Sequence, residues 1–176
     1  KTQTAHELSD IAEAAALAIV SALQKGGKLM LCGNGGSAGD SQHLAAEFVA
    51  TLDHSNPRDG LAAIALTTDT SLITAFSNDF GFEGIYDRQV QTLGKSGDVL
   101  IALSTSGNSE NVLRAAKVAR EKQITVIAMT GADGGKLAGA ADILLNVPSD
   151  KTMHIQEAHI ALGHAITASV ETHLGY

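Results

Sequence analysis

Five short apolar runs limit what this chain can fold into more than any other feature. They are Lys28–Cys32, Leu61–Leu66, Asp98–Leu103 (DVLIAL), Thr125–Met129 and Ile143–Val147. A strand with one wet face would alternate polar and apolar residues. Runs that are apolar throughout fit strands covered on both faces, as in a parallel sheet flanked by helices. Helical spacing fills most of the intervals. Ala5–Leu23 carries Leu8, Ile11, Ala15, Leu17, Ile19 and Leu23 and stops at Gly26–Gly27, giving an N-terminal helix over 5–24. Ser37 is the expected N-cap of a helix running to about Leu52. Thr70–Ser77, Gly84–Leu93 and Asn111–Lys122 read as further helices, and Thr152–His173 as a long closing one over 152–173. Pro57 and Pro148 fall at connections. The pattern predicts one α/β domain, a three-layer αβα sandwich around a central, mostly parallel five-stranded sheet.

Composition narrows the partners. Aromatic residues are 3% of the chain and Trp is absent, so the core is built from Ala, Leu, Ile and Val, and the aromatic platforms of base-stacking proteins are missing. A net charge of −7 argues against coating nucleic acid or an anionic membrane. The single cysteine, Cys32, excludes an internal disulfide and any multi-cysteine metal site and fits a reducing cytoplasm. No apolar run approaches the ~18–20 residues of a membrane span. The chain starts at Lys1 rather than Met, as expected if a native N-terminal segment is missing.

Two loops leave the carboxyl ends of expected strands with unusual composition, and in open parallel sheets ligands collect at such ends. Gly33–Ser37 (GNGGS) offers backbone N–H groups unobstructed by side chains and leads into a helix. Ser104–Ser109 (STSGNS) places four hydroxyls and a glycine before another. Helix N-termini favour anions and hydroxyls add donors, so the second loop suits a phosphate. Turn and capping roles would select the same residues. Neither loop matches GxGxxG or GxxxxGK[ST], which argues against nucleotide cofactors.

His43 and Glu47, spaced i and i+4, share a helix face and can reach one point. Gln156, His159 and His164 interrupt the otherwise apolar last helix. Gln156 and His164 lie roughly 12 Å apart along it, near the limit for two side chains to meet one ligand. Each histidine alone fits a hydrogen-bonded core or interface role as well. His54, His154 and His173 read as surface residues, and Cys32 as a small buried apolar one. Residue types and spacing lead to an α/β domain that binds a small anion.

The stretches CGNGGSAGDSQHLAAEF, SNDFGFEGIYDRQV, GDVLIALSTSGNSENVL, MTGADGGKLA and HIQEAHIALGHAI, taken in order, resemble the bacterial phosphoheptose isomerases of the sugar isomerase (SIS) superfamily along nearly the whole chain. The resemblance implies a single SIS domain over 1–176, with the helices 5–24 and 152–173 used in oligomer packing, and a cytoplasmic homotetramer with active sites at subunit interfaces. It implies an isomerase of sedoheptulose 7-phosphate and D-glycero-D-manno-heptose 7-phosphate, the first step toward heptose for lipopolysaccharide or other glycans. Substrate contacts carry over to Asn34, Gly35, Gly36, Ser37, Glu47, Asn78, Asp79, Ser104, Thr105, Ser106, Ser109 and Gln156. Zinc ligands carry over to His43, Glu47, Gln156 and His164, with Glu47 as the catalytic base and His164 as its acid–base partner. Two positions depart from relatives that carry arginine there: Thr51, four residues after Glu47, and His154, just before Ile155.

Three other functions share this sequence pattern. A homologue of the family binds the replication initiator and lacks the glutamate and last-helix histidine that this chain keeps. A regulatory SIS module would need Ser104–Ser109 but not His43, Glu47 and His164 together. An isomerase of another sugar phosphate would differ in the shape of its pocket.

Overall fold

All five apolar runs become strands of one sheet in a computed structural model that describes residues 2–176, with side chains from Leu8 onward. The strands are β1 (Leu29–Cys32), β2 (Ala63–Ala65), β3 (Val99–Leu103), β4 (Thr125–Gly131) and β5 (Ile143–Val147). Their order is β2-β1-β3-β4-β5 and every pairing is parallel, so the expectation of a mostly parallel sheet resolves into a wholly parallel one. The helices are α1 (Thr2–Gln24), α2 (Gly36–Val49), α3 (Thr70–Phe80), α4 (Ile85–Leu93), α5 (Glu110–Glu121) and α6 (Thr152–Leu174), with short 3-10 turns at Phe82–Gly84 and Gly135–Ala140.

Successive strand residues point to opposite faces, and both faces are buried. Leu29, Leu31, Val99, Ile101, Leu103, Ile127 and Met129 meet α1, α2 and α6. Met30, Cys32, Leu100, Ala102, Val126 and Ala128 meet α4 and α5. This is why the runs carry no polar alternation. Ala115, Ala116 and Ala119 form the buried stripe of α5 and let that helix lie close to the sheet. A larger side chain there would overpack the layer, at a cost of about 1–3 kcal/mol.

Strand order reverses between β1 and β3, and in a doubly wound sheet the crevice at such a reversal receives the ligand. The glycine loop follows β1 and the Ser/Thr loop follows β3, so both border the crevice. One boundary differs from the sequence expectation. α2 begins at Gly36 with Gly35 as its N-cap, and Ser37 lies buried in the first turn. The cap takes φ 56° and ψ −120°, a backbone region that is open essentially to glycine alone, so the helix starts before Ser37 can cap it. α2 also ends at Val49 rather than near Leu52.

Candidate active site

The glycine loop is fixed from two sides. Tyr86 Oη donates to the Gly33 carbonyl at 2.5 Å. The amides of Asn34 and Asn111 form a reciprocal pair, Nδ2 of each donating to Oδ1 of the other at 2.8 and 2.9 Å. Asn111 is buried in the first turn of α5, so this pair joins the two loops across the switch point. The Ser/Thr loop is held in turn: Gly131 N–H donates to the Thr105 carbonyl at 3.0 Å and Leu137 N–H to the Gly107 carbonyl at 2.9 Å. Ser104 Oγ donates to Ser109 Oγ at 3.1 Å, while Ser106 stays exposed. Neither α2 nor α5 has a side-chain cap. Two helix starts therefore face one crevice with donors available to an anion.

α2 and α6 run parallel, in register, on one side of the sheet. At their start, a Cβ on residue 36 would lie 2.5 Å from Gln156 Nε2, so glycine at 36 is what admits the Gln156 amide to the loop. Two turns further along, His43 Nε2 and His164 Nε2 stand 2.9 Å apart, and His43 Nε2 lies 3.3 Å from Glu47 Oε1. Two imidazole nitrogens at that separation need a proton between them or a cation beside both. Glu47 Oε2 is buried without a hydrogen-bond partner among the described residues.

His43, Glu47 and His164 each offer one donor atom, all within 4.8 Å of one another, and could hold a metal ion. A tetrahedral ion with bonds of about 2.0–2.1 Å sets neighbouring donors about 3.3 Å apart, close to the separations found here. Two imidazoles and a carboxylate with an unpartnered oxygen suit a divalent cation. Gln156 lies against Gly36, about 12 Å along α6 from His164.

The remaining expected residues fall in two places. Ser37 is buried at the start of α2, whereas Asn78 and Asp79 are exposed on the last turn of α3, with Asn78 Nδ2 donating to Asp79 Oδ1 at 2.8 Å. Thr51 Oγ1 donates to the Asp53 carbonyl at 3.1 Å, and His154 is exposed on the first turn of α6. His159 is core: it is fully buried, and its Nε2–H donates to the Thr130 carbonyl at 3.0 Å. Cys32 is buried at the end of β1, and burial pushes its thiol up to about 12, so it stays unreactive.

Three residues at the site were not legible as such. Asn111 interrupts the apolar stripe of α5, and that interruption was its one sequence signal. Asp40 lies three residues before His43 on the same helix face. Burial raises its pKa against the pull of His43 and His164, and its Oδ2 has no partner among the described residues. Arg58 sits in a polar loop that carries no signal.

The SIS domain profile matches residues 1–131. The phosphoheptose isomerase of Rhodospirillum rubrum is 53% identical over 161 residues, covering 92% of this chain and 84% of that protein. The solved phosphoheptose isomerase of Neisseria gonorrhoeae superposes with a TM-score of 0.91 at 46% identity, and that of Francisella tularensis with 0.93 at 40%. Each superposition covers 98% of this chain and 91% of the other. With its crevice, its paired loops and its His–Glu–His cluster, the chain belongs to the phosphoheptose isomerase family of SIS-domain proteins.

Proposed function

We propose that this protein interconverts sedoheptulose 7-phosphate and D-glycero-D-manno-heptose 7-phosphate through an enediol, supplying heptose for glycan assembly. The observation that carries this reading is the convergence of His43, Glu47 and His164 two turns along α2 from a glycine loop that the Asn34–Asn111 pair joins to the Ser/Thr loop. The 7-phosphate sits against Ser104, Thr105, Ser106 and Ser109 and the start of α5. Asn34, Gly35, Gly36, Ser37 and Gln156 meet the sugar, and Asn78 and Asp79 complete the pocket.

Isomerisation removes a proton from C1 of the ketose and returns one to C2 of the aldose. Glu47, whose carboxylate stands with His43 and His164 in one cluster, takes the C1 proton. The electron pair of the C–H bond becomes the C1–C2 double bond of the enediol, and the carbonyl pair moves to O2. His164 gives a proton to O2 and takes one from O1, and Glu47 then returns its proton to C2. No group is oxidised or reduced overall outside the sugar. Glu47 is only partly buried and stands beside the exposed His43, so the proton it carries can exchange with water before it is returned. Zinc held by His43, Glu47 and His164, with Gln156 drawn in as a further ligand, would orient the diol and lend Lewis-acid stabilisation to charge on its oxygens.

The assembly is a cytoplasmic homotetramer with sites at subunit interfaces. Supporting this, α3 has no buried residue within the chain, and Phe80 and Phe82 on and beside it are 73% and 49% exposed. Leu17 on α1 is 47% exposed, consistent with oligomer packing by the terminal helices. No described helix is long and apolar enough to cross a membrane. A binder of the replication initiator or a regulatory module would have no use for the trio.

Glu47→Gln tests the assignment. It keeps size and polarity but removes the base, so kcat should fall by about 10²–10⁴ with KM little changed. Full turnover in the variant would reject Glu47 as the base.

A further inference from the structure

Beyond the trio, α2 and α6 are tied once more. Arg58, in the loop after α2, has a fully buried side chain paired with Glu171 on α6, and Nε donates to Glu171 Oε1 at 2.6 Å. Its Nη2 donates at 2.8 Å to the carbonyl of Glu47 itself, and its Nη1 to the carbonyls of Phe48 and Asp59 at 2.9 and 3.0 Å. Glu171 Oε1 also accepts the Leu52 N–H at 3.3 Å. Glu171 follows His164 by seven residues, two turns on the same face of α6.

We propose that Arg58 and Glu171 are a positioning pair for the reaction, fixing the backbone of Glu47 against the helix that carries His164. The proposal rests on the isomerase reading of the same site. A helix C-terminus needs no buried guanidinium to satisfy its carbonyls, and a buried ion pair is a costly way to fill space that an apolar plug would fill as well. What the pair adds is direction: one planar fork spans the main chain of the base and a carboxylate on the opposing helix. The 2.9 Å approach of His43 to His164 depends on that spacing, and a shift of about 1 Å at such a site costs on the order of a hundredfold in rate.

The test compares wild-type tetramer with Arg58→Met, Arg58→Lys and the double variant Arg58→Met/Glu171→Leu. Melting temperature, kcat and KM on sedoheptulose 7-phosphate, and the Kd for Co²⁺ alone, read by its visible absorption, are measured on each. Arg58→Met strands a buried carboxylate and should melt far lower. The double variant removes both charges and should regain most of that loss, while kcat and Co²⁺ affinity stay about 10–100-fold down. Recovery of kcat and Co²⁺ affinity together with melting temperature would overturn the proposal, because the pair would then be structural only. If the double variant does not fold, Arg58→Lys decides. It keeps the charge but cannot span Glu171 and the α2 carbonyls, and wild-type kcat and Co²⁺ affinity in it would equally overturn the proposal. Wild-type protein that binds Co²⁺ but leaves the sugar phosphate unchanged would sink the isomerase reading and leave the Co²⁺ series to judge the pair. Wild-type protein that does neither would sink both.

Discussion

At the residue scale, Asn111 holds the amide of Asn34 at both ends, and one donor and one acceptor site of that amide remain for a sugar. The amide pair also sets where the main chain of the loop lies. Gly36 acts in a similar way, by leaving room. Gly36→Ala would push its Cβ to within 2.5 Å of the Gln156 amide, the far end of a flexible side chain. The fold should survive with a melting temperature near wild type, while displacement of Gln156 raises KM about tenfold. An unchanged KM would show that Gln156 does not meet the sugar. His43 and Glu47 could be read from the sequence because their relation is local, four residues on one helix. The approach of His164 to His43 spans 121 positions, and no local pattern encodes it. Arg58 and Glu171 were hidden for the same reason, being 113 positions apart in unremarkable surroundings.

At the element scale, the strands were legible because burial on both faces writes itself into a continuous apolar run. The switch point was not, since strand order depends on which runs pair. The start of α2 was misplaced because Gly35 caps it through its backbone conformation, which residue preferences for Ser at N-caps do not anticipate. His159 gives the layer of α6 a measurable property. Burial lowers its pKa against a weaker opposing effect of its bond to Thr130, so it is neutral in the fold, and its Nδ1 has no partner among the described residues. The unfolded chain then binds a proton that the folded one does not. Stability is unaffected by this group above the ordinary histidine pKa of about 6.5 and falls below it, by up to about 1.4 kcal/mol per pH unit. His159→Met should flatten that part of the stability–pH curve in urea titrations between about pH 5 and 6.5. An unaltered slope would place the proton elsewhere.

At the scale of the whole molecule, one reversal of strand order brings the glycine loop and the Ser/Thr loop to a common crevice, with α2 and α6 on one face of the sheet and α5 on the other. The exposed apolar surface of α3 extends that logic beyond one chain. Phe80→Asp should dissociate the proposed homotetramer in light scattering and lower turnover with it, whereas a fully active monomer would remove subunit interfaces from the account. The central claim is proton transfer by Glu47 within a sugar-phosphate isomerase. It is met most directly by incubating the protein with sedoheptulose 7-phosphate in D₂O and following the sugar carbons by NMR, with and without a chelator. The account predicts aldose formation with solvent deuterium bound to carbon at C2, slowed when the chelator strips the His43–Glu47–His164 cluster. Absence of turnover in folded, zinc-loaded protein would contradict it, as would aldose that carries no solvent deuterium after repeated cycling.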